Sequence, residues 1–357
     1  MSAAAASAQG AGTGRTVGYY VHHVGLGHAR RAAGLAEELR RHCGLDVVGL
    51  STLPRPAGWV GGWVTLPPDE VADPCDPSPG GRLHWAPRDH ARTRERAAAL
   101  SRWVAEAKPA AMISDVSVEV TLLARLHGVP VVAVALPGDR ADAPHLLGFE
   151  VADAVVGFWP VAVTREVLTT SPAVLRRVVA VGGHSLLDAE GCAAGIDVAD
   201  RAGGDRSVVA LSGRGGEAWS ASQLAAVRAA TEPEGWSWTV LGEGSWVDDP
   251  REALRGADVV VTHAGQNAIA DIAALRRPAV VVPADRPHRE QRRTGEALAV
   301  GDWPVAVLPS LDHVVPAGWP ALLDRVSLLP AHGWDRWCDG RAPQRFAQVV
   351  ADVAGVA

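Results

Sequence analysis

Cysteine is scarce in this chain of 357 residues, and the cysteines it has form no motif. The four lie far apart and make no CxxC pair: Cys43, Cys75, Cys192 and Cys338. Structural zinc sites and disulfide-stapled domains usually need closely spaced cysteines, so we expect neither. This usage fits a reducing compartment and predicts a cytoplasmic protein.

Lysine is scarcer still, since Lys108 is the only one. A P-loop is excluded because no GK[ST] sequence exists. The net charge of −6 and the pI near 6.1 provide no basic footprint for nucleic acid, and the arginine pairs are scattered. We therefore expect no nucleic-acid partner.

Long apolar runs are also absent, and none reaches the length needed to cross a bilayer. A peripheral contact with a membrane surface stays open. Residues 1–14 are small and lack the charged start and apolar core of a signal peptide, so we expect a disordered leader there.

Strand-like and helix-like segments alternate along both halves of the chain. Runs such as Val131 to Ala135 and Val259 to Val261 are typical of buried strands, and segments such as Val118 to Leu126 of the helices between them. Such alternation predicts parallel strands joined by right-handed crossovers. Because the chain is too long for one typical core, we predict an α/β fold of two doubly wound, Rossmann-like domains facing a cleft.

The domain boundaries lie where this alternation stops. Residues 189–206 lose periodicity and gain glycine, which predicts a linker. We predict an N-terminal domain over residues 15–188, a C-terminal domain over residues 207–335 and a final helical segment over residues 336–357. Ligands of such sheets bind beyond the carboxyl ends of the strands.

One of those ends carries the sequence VVVTHAGQNAIADIAAL, residues 259–275. A glycine turn leading into a helix offers unpaired backbone N–H groups at the positive end of the helix dipole, which suits a phosphate. Asp271 lies four residues after Asn267, on the same helix face, where a carboxylate can bind a ribose diol. The alternative is a tight turn that only caps a helix.

Two further segments also place possible ligand-binding residues directly after a predicted strand. SGRGG, residues 212–216, follows another buried strand and can grip the same diphosphate. PADRPHREQ, residues 283–291, ends a strand and begins a helix whose first turn holds Glu290 and Gln291. A carboxylate and an amide there can bind neighbouring sugar hydroxyls, although acidic helix starts are common without a ligand.

The N-terminal segment HHVGLGHARRAAGLAEEL, residues 22–39, contains a turn at Gly25 and Gly27 with His28 at the start of a helix. The helix dipole favours a neutral imidazole there, which can take a proton from a hydroxyl group. Asp115 ends the strand sequence MISD and can orient His28. No carboxylate or cysteine accompanies His22, His23 and His28 locally, so we expect no metal centre.

Residues 262–291, THAGQNAIADIAALRRPAVVVPADRPHREQ, resemble the donor-binding signature of GT-B glycosyltransferases. The branch is that of the peptidoglycan N-acetylglucosaminyl transferase and the antibiotic glycosyltransferases, with a family 28-like C-terminal domain. The N-terminal turn is similar to the family's GxGH turn. Together the two matches cover most of the chain.

The resemblance implies an inverting glycosyltransferase whose N-terminal domain binds the acceptor and whose C-terminal domain binds a nucleotide diphosphate sugar, with UDP favoured. It implies that the last helix, Ala342 to Val353, crosses back onto the N-terminal domain. His28 would be the general base, Asp115 its partner, and Gly25 and Gly27 the acceptor-side turn. The donor residues would be Gly213, Arg214, Gly215, His263, Gly265, Gln266 and Asn267 for the diphosphate, Asp271 for the ribose, and Glu290 and Gln291 for the sugar.

No cofactor is expected, because the nucleotide sugar is a substrate. The DxD pair of metal-dependent GT-A enzymes is absent, so transfer is expected to be metal-independent. The acceptor and the oligomeric state are not determined by the sequence.

Three alternatives stay open. A nucleotide-sugar 2-epimerase shares the GT-B fold, and a non-catalytic sugar-nucleotide binding protein could keep the same site. A Rossmann dehydrogenase is disfavoured, because Arg30 stands where its third glycine is needed and Asp46 begins a strand instead of ending it.

Overall fold

A computed structural model describes residues 15–23, 26–187, 206–212, 219–242, 247 and 249–356. The predicted leader and nearly all of the predicted linker lie outside these residues. No helix in these ranges is both long and apolar enough to span a bilayer.

The first half of the chain forms a parallel sheet with helices on its faces. Its strands are β1 (Thr16–Tyr20), β2 (Asp46–Ser51), β3 (Trp63–Thr65), β4 (Ala111–Asp115), β5 (Val131–Ala135), β6 (Gly138–Asp139), β7 (Ala154–Gly157), β8 (Leu168–Thr169) and β9 (Val178–Ala180). Its helices are α1 (Leu26–Cys43), α2 (Ala91–Ala107), α3 (Val118–Leu126), α4 (Ala143–Val151), α5 (Thr164–Val167) and α6 (Pro172–Leu175). The main sheet has the order β3-β2-β1-β4-β5-β7-β9, and β6 pairs with β8 separately.

The second half repeats the architecture. Its strands are β10 (Arg206–Leu211), β11 (Trp236–Leu241), β12 (Val259–Thr262), β13 (Ala279–Val281) and β14 (Val305–Val307), in the order β11-β10-β12-β13-β14. Its helices are α7 (Ala221–Thr231), α8 (Arg251–Gly256), α9 (Gln266–Ala274), α10 (Glu290–Val300), α11 (Trp319–Ser327) and α12 (Ala342–Ala354). All strand pairs of both main sheets are parallel.

Apolar runs make the central strands, as expected for strands covered on both faces. Every residue of β4 and of β12 is buried. Polar residues begin the helices between them: Ser117, Asp142 and Ser220 each accept a backbone N–H in the first turn of α3, α4 and α7. The prediction of two doubly wound α/β domains is confirmed.

The final helix α12 packs on the first domain. Phe346 and Val350 are fully buried in one apolar cluster with Val17 of β1 and Leu35 of α1. This contact ties the end of the chain to the N-terminal domain.

The strands and helices of residues 136–188 were harder to predict from the sequence. This segment holds α4, β7 and β9, but β7 has four residues and β9 has three. Elements this short contain too few residues to show a period.

Candidate functional site

A cavity of about 1850 Å³ is lined by both domains at the carboxyl ends of their strands. Among the predicted residues, Gly27 and His28 line it from the N-terminal side. The other side contributes His263, Gly265, Gln266, Asn267, Asp271, Glu290 and Gln291. Gly25, Gly213, Arg214 and Gly215 lie outside the described residues, so the predictions for them stay predictions.

Asp115 lies behind His28 and is completely buried at the end of β4. His28 Nδ1 is 2.9 Å from Asp115 Oδ2. Burial alone would raise the pKa of Asp115, but the charges of Arg31 and His28 outweigh it and lower the pKa to about 2. The carboxylate is therefore ionised at neutral pH and accepts the Nδ1–H of His28, which leaves the Nε2 lone pair for the cavity.

Arg31 joins this pair to the opposite domain. It lies one helical turn after His28 and is 4% exposed. One guanidinium nitrogen donates to Asp115 Oδ1 at 2.8 Å, and the other donates to Gln266 Oε1 at 2.8 Å. Arg31 was not predicted from the sequence, although its i+3 spacing from His28 indicates that the two side chains share a helix face.

The phosphate-binding turn predicted at residues 262–267 meets the N-terminal turn directly. A Cβ added to Gly27 would lie 2.3 Å from Asn267 Nδ2. Gln266 Nε2 donates to Phe158 O at 3.3 Å, in addition to the bond from Arg31 to its carbonyl oxygen. The amide of Gln266 is therefore engaged with the other domain, whereas Asn267 lies beside Gly27 and lines the cavity. The assignment of both residues to the diphosphate stays a prediction.

Backbone N–H donors stand at the start of α9. Gly265 precedes the helix in an extended conformation, and no side chain caps it within the described residues. The first N–H groups of a helix have no partner in the helix itself. An anion in the cavity is the partner that fits them.

Asp271 lines the cavity one turn further along α9. Its Oδ1 accepts a hydrogen bond from Ser185 Oγ at 2.5 Å. Ser185 lies near the end of the predicted N-terminal domain and was not identified from sequence. The bond orients the Asp271 carboxylate, and the assignment of Asp271 to a ribose stays a prediction.

His263 has a defined tautomer. Its Nδ1 lies 2.9 Å from Val282 O, so this nitrogen carries the proton. The buried Nε2 has no partner among the described residues, and burial lowers the pKa of the ring. His263 lines the cavity, and its assignment to the diphosphate stays a prediction.

Glu290 and Gln291 begin α10 and line the cavity, as the spacing predicted. Gln291 is 6% exposed, and its Oε1 accepts from Ala284 N at 2.9 Å. Its Nε2 lies near Gly265, 3.8 Å from where a Cβ would be. Gln291 therefore fixes the turn after β13 with one end and presents an N–H donor beside the α9 turn with the other.

The chain resembles known proteins in both sequence and structure. Residues 243–299 match the Glycosyltransferase family 28 C-terminal domain. MurG from Acinetobacter baumannii has a similar structure at 16% identity and a TM-score of 0.63, covering 95% of this chain and 99% of that chain. The glycotransferase of kitacinnamycin gives 13% identity and a TM-score of 0.67, covering 96% and 99%.

The fold is that of the GT-B glycosyltransferases. LpCGTa, solved in complex with UDP, is a further GT-B neighbour, with 16% identity, a TM-score of 0.59 and coverage of 96% of this chain and 100% of that chain. No curated protein matches the chain significantly. The epimerase and the non-catalytic alternatives gain no support from these comparisons.

Proposed function

We propose that this protein is an inverting, metal-independent glycosyltransferase that moves a sugar from a nucleotide diphosphate sugar, with UDP favoured, to an acceptor hydroxyl. The observation that carries the proposal is the His28–Asp115 pair on one wall of the cavity, facing the uncapped start of α9 on the other. We assign it to the cytoplasm as part of the same proposal.

Proton removal is the task of His28. With Nδ1–H donated to Asp115, the Nε2 lone pair accepts the hydroxyl proton of the acceptor. The acceptor oxygen forms its bond to the anomeric carbon as the bond from that carbon to the diphosphate oxygen breaks. The ring passes through an oxocarbenium-like state, and attack from the opposite face inverts the configuration.

The leaving diphosphate takes the electron pair of the broken bond. Backbone N–H groups at the start of α9 stabilise this charge without reorganising, because they are already fixed in place. The ionised Asp115 stabilises the imidazolium formed at His28 on the other wall. Each half of the charge separation thus has its own compensating group.

An apolar acceptor suits the N-terminal side of the cavity. The segment before α2 contributes Leu83 and Trp85. The apolar side chains from α2 and α3 are Ala97, Leu100, Val120, Leu122, Leu123 and Leu126. Leu126 is 84% exposed although it is a large apolar residue. We propose an acceptor that carries its hydroxyl on a largely apolar body.

The experiment has two stages. Thermal-shift measurements against UDP, dTDP and GDP identify the base, and we expect UDP to raise the melting temperature most. The corresponding nucleotide sugars are then incubated with a panel of apolar alcohols and phenols, and the anomeric configuration of the product is read by NMR. A protein that responds to no nucleoside diphosphate would contradict the proposal, and a retained configuration would remove the inverting mechanism.

A further inference from the structure

Three histidines from three separate segments meet at one edge of the cavity. His84 lies between β3 and α2, His145 lies on α4, and His288 lies between β13 and α10 of the other domain. Their ring centroids are 4.4 Å (His84–His145), 4.8 Å (His145–His288) and 6.0 Å (His84–His288) apart. One nitrogen from each ring can be chosen so that the three lie within 4.8 Å of one another.

A carboxylate stands beside all three rings. Asp142 Oδ2 is 2.6 Å from His145 Nδ1 and 3.8 Å from His288 Nδ1, and Oδ1 is 3.4 Å from His84 Nε2. Asp142 is itself anchored as the N-cap of α4, where it accepts the backbone N–H of His145. Imidazoles held by a carboxylate are typical of protein metal sites.

His84 Nε2 supplies an independent observation. This nitrogen is buried, and although Asp142 Oδ1 is 3.4 Å away it has no hydrogen-bond partner among the described residues. A buried polar atom without a hydrogen-bond partner is destabilising, and a metal ion would supply the missing partner. The backbone N–H of His84 donates to Glu119 Oε1, which holds the segment in place.

The backbone at His288 is also unusual. His288 and the following Arg289 have φ values of 56° and 55°, a left-handed conformation that is uncommon outside glycine. The carbonyl of His288 approaches Gly138 so closely that a Cβ there would lie 2.6 Å from its oxygen. Strained backbone of this kind persists only where the surrounding structure holds it in place, and it is common at functional sites.

We propose that His84, His145 and His288 bind one divalent transition-metal ion, for which zinc is the best fit, with Asp142 as the carboxylate that completes the set. Three imidazoles and one carboxylate are a ligand set that zinc accepts. Ligands around tetrahedral zinc lie about 3.4 Å apart, given the usual bond length of about 2.0–2.1 Å. The nitrogens lie within 4.8 Å of one another, so the widest pair would need to approach by about 1.4 Å.

Arg140 is the charge that opposes the ion. Its NH1 lies 3.0 Å from His145 Nε2, while Nε and NH2 donate to Pro137 O. Burial lowers the pKa of Arg140, and the negative charges of Glu290, Asp142 and Asp139 act against that shift. Asp142 faces Nδ1 of His145, so this is the nitrogen that would bind the ion. The ring proton would then lie on Nε2 and displace one arginine contact, while the remaining two hold Arg140 in place.

The ion would join the two domains. His84 and His145 belong to the N-terminal domain and His288 to the C-terminal domain, so coordination fixes their separation at this edge of the cleft. The site is separate from the transfer chemistry proposed above, because it supplies no group to His28 or to the start of α9. Its test is binding of the metal itself.

The test titrates zinc into full-length protein that has been freed of metal with a chelator and dialysed. We expect saturable binding of one equivalent by calorimetry, a rise in melting temperature with zinc, and a visible absorption spectrum of tetrahedral cobalt when cobalt replaces zinc. His288→Asn is the main variant, since asparagine tolerates the left-handed backbone and removes the imidazole. His84→Ala is the second, because its partly exposed ring makes loss of the fold less of a concern.

Each variant should weaken zinc binding by at least about tenfold, in line with the usual cost of disturbing a metal site. His332→Ala, at an exposed histidine outside the cluster, and His22→Ala, in the N-terminal turn, should bind as the wild type does. Failure of the wild type to bind one equivalent would overturn the proposal. Equal affinity of His288→Asn and the wild type would do the same.

Discussion

The N-terminal wall of the cleft presents an interlocked set of ionisable side chains, whereas the C-terminal wall adds backbone N–H groups to the side chains that line it. His28, Asp115 and Arg31 form a buried, interlocked set in which every polar contact is made by a side chain. The start of α9 has no side-chain cap within the described residues, and Gln266 there is hydrogen-bonded to the other domain. Proton transfer needs a group that titrates, while binding of an anion needs only fixed dipoles.

This contrast predicts different consequences for substitutions on the two walls. Side-chain changes on the N-terminal wall should alter turnover, and those on the C-terminal wall should alter affinity. Backbone donors cannot be removed by substitution, so the C-terminal effects should be smaller.

His28→Ala should have the largest effect. We expect turnover to fall by roughly 10²–10⁴, the usual contribution of a positioned proton acceptor. The affinity for nucleoside diphosphate should change little, because His28 lies on the opposite wall. Steady-state transfer rates and calorimetry on the same preparation check both halves. His22→Ala is the matched control, since its ring lies 5.4 Å from that of His28.

Asp271→Ala should weaken nucleotide binding by about 1–3 kcal/mol, the cost of removing a charged hydrogen-bond partner. Ser185→Ala should cost less, because it removes only the group that orients the carboxylate. Calorimetry with UDP and two other nucleoside diphosphates measures both. Unchanged affinity for all three nucleotides in Asp271→Ala would remove Asp271 from the donor site.

Gln291→Ala should separate the sugar from the nucleotide. We expect a higher apparent constant for the intact donor, or slower turnover, with nearly unchanged binding of free nucleoside diphosphate. Gln291 also holds Ala284 N, so the thermal stability of the variant must be measured alongside. Equal losses for both ligands would mean that Gln291 supports the α9 turn.

Chelation should have the smallest effect on the chemistry. EDTA is expected to leave transfer largely intact, because fixed N–H groups take the place of a metal at the diphosphate. His84→Ala is the informative background, since it breaks the histidine cluster and any effect of a metal bound there. A rate in this variant that vanishes with EDTA and returns with magnesium or manganese would contradict the metal-free mechanism.

The sequence predicted best those strands and helices whose conformation is determined by their own residues. Buried runs such as Val259 to Val261 predicted the central strands, and α3 was predicted with its observed bounds, Val118–Leu126. His28 and Asp115 could be paired because the carboxyl ends of parallel strands meet at one edge of a sheet.

Contacts that depend on how the two domains approach each other could not be predicted. Arg31 reaches Gln266 across the cleft, and Ser185 reaches Asp271, over sequence separations of 235 and 86. The cluster of His84, His145 and His288 likewise exists only when three distant segments fold together. No local spacing encodes such contacts, because each residue alone is compatible with an ordinary loop or helix.

The central claim is that His28 and Asp115 act as one unit in proton removal, and a four-member cycle tests it most directly. The wild type, His28→Ala, Asp115→Asn and the double variant are assayed for transfer and for nucleotide binding, with thermal stability checked because Asp115 also pairs with Arg31. We predict that Asp115→Asn costs less than His28→Ala and that the double variant is about as slow as His28→Ala alone. Near-normal turnover of His28→Ala, or losses that add in the double variant, would contradict the account.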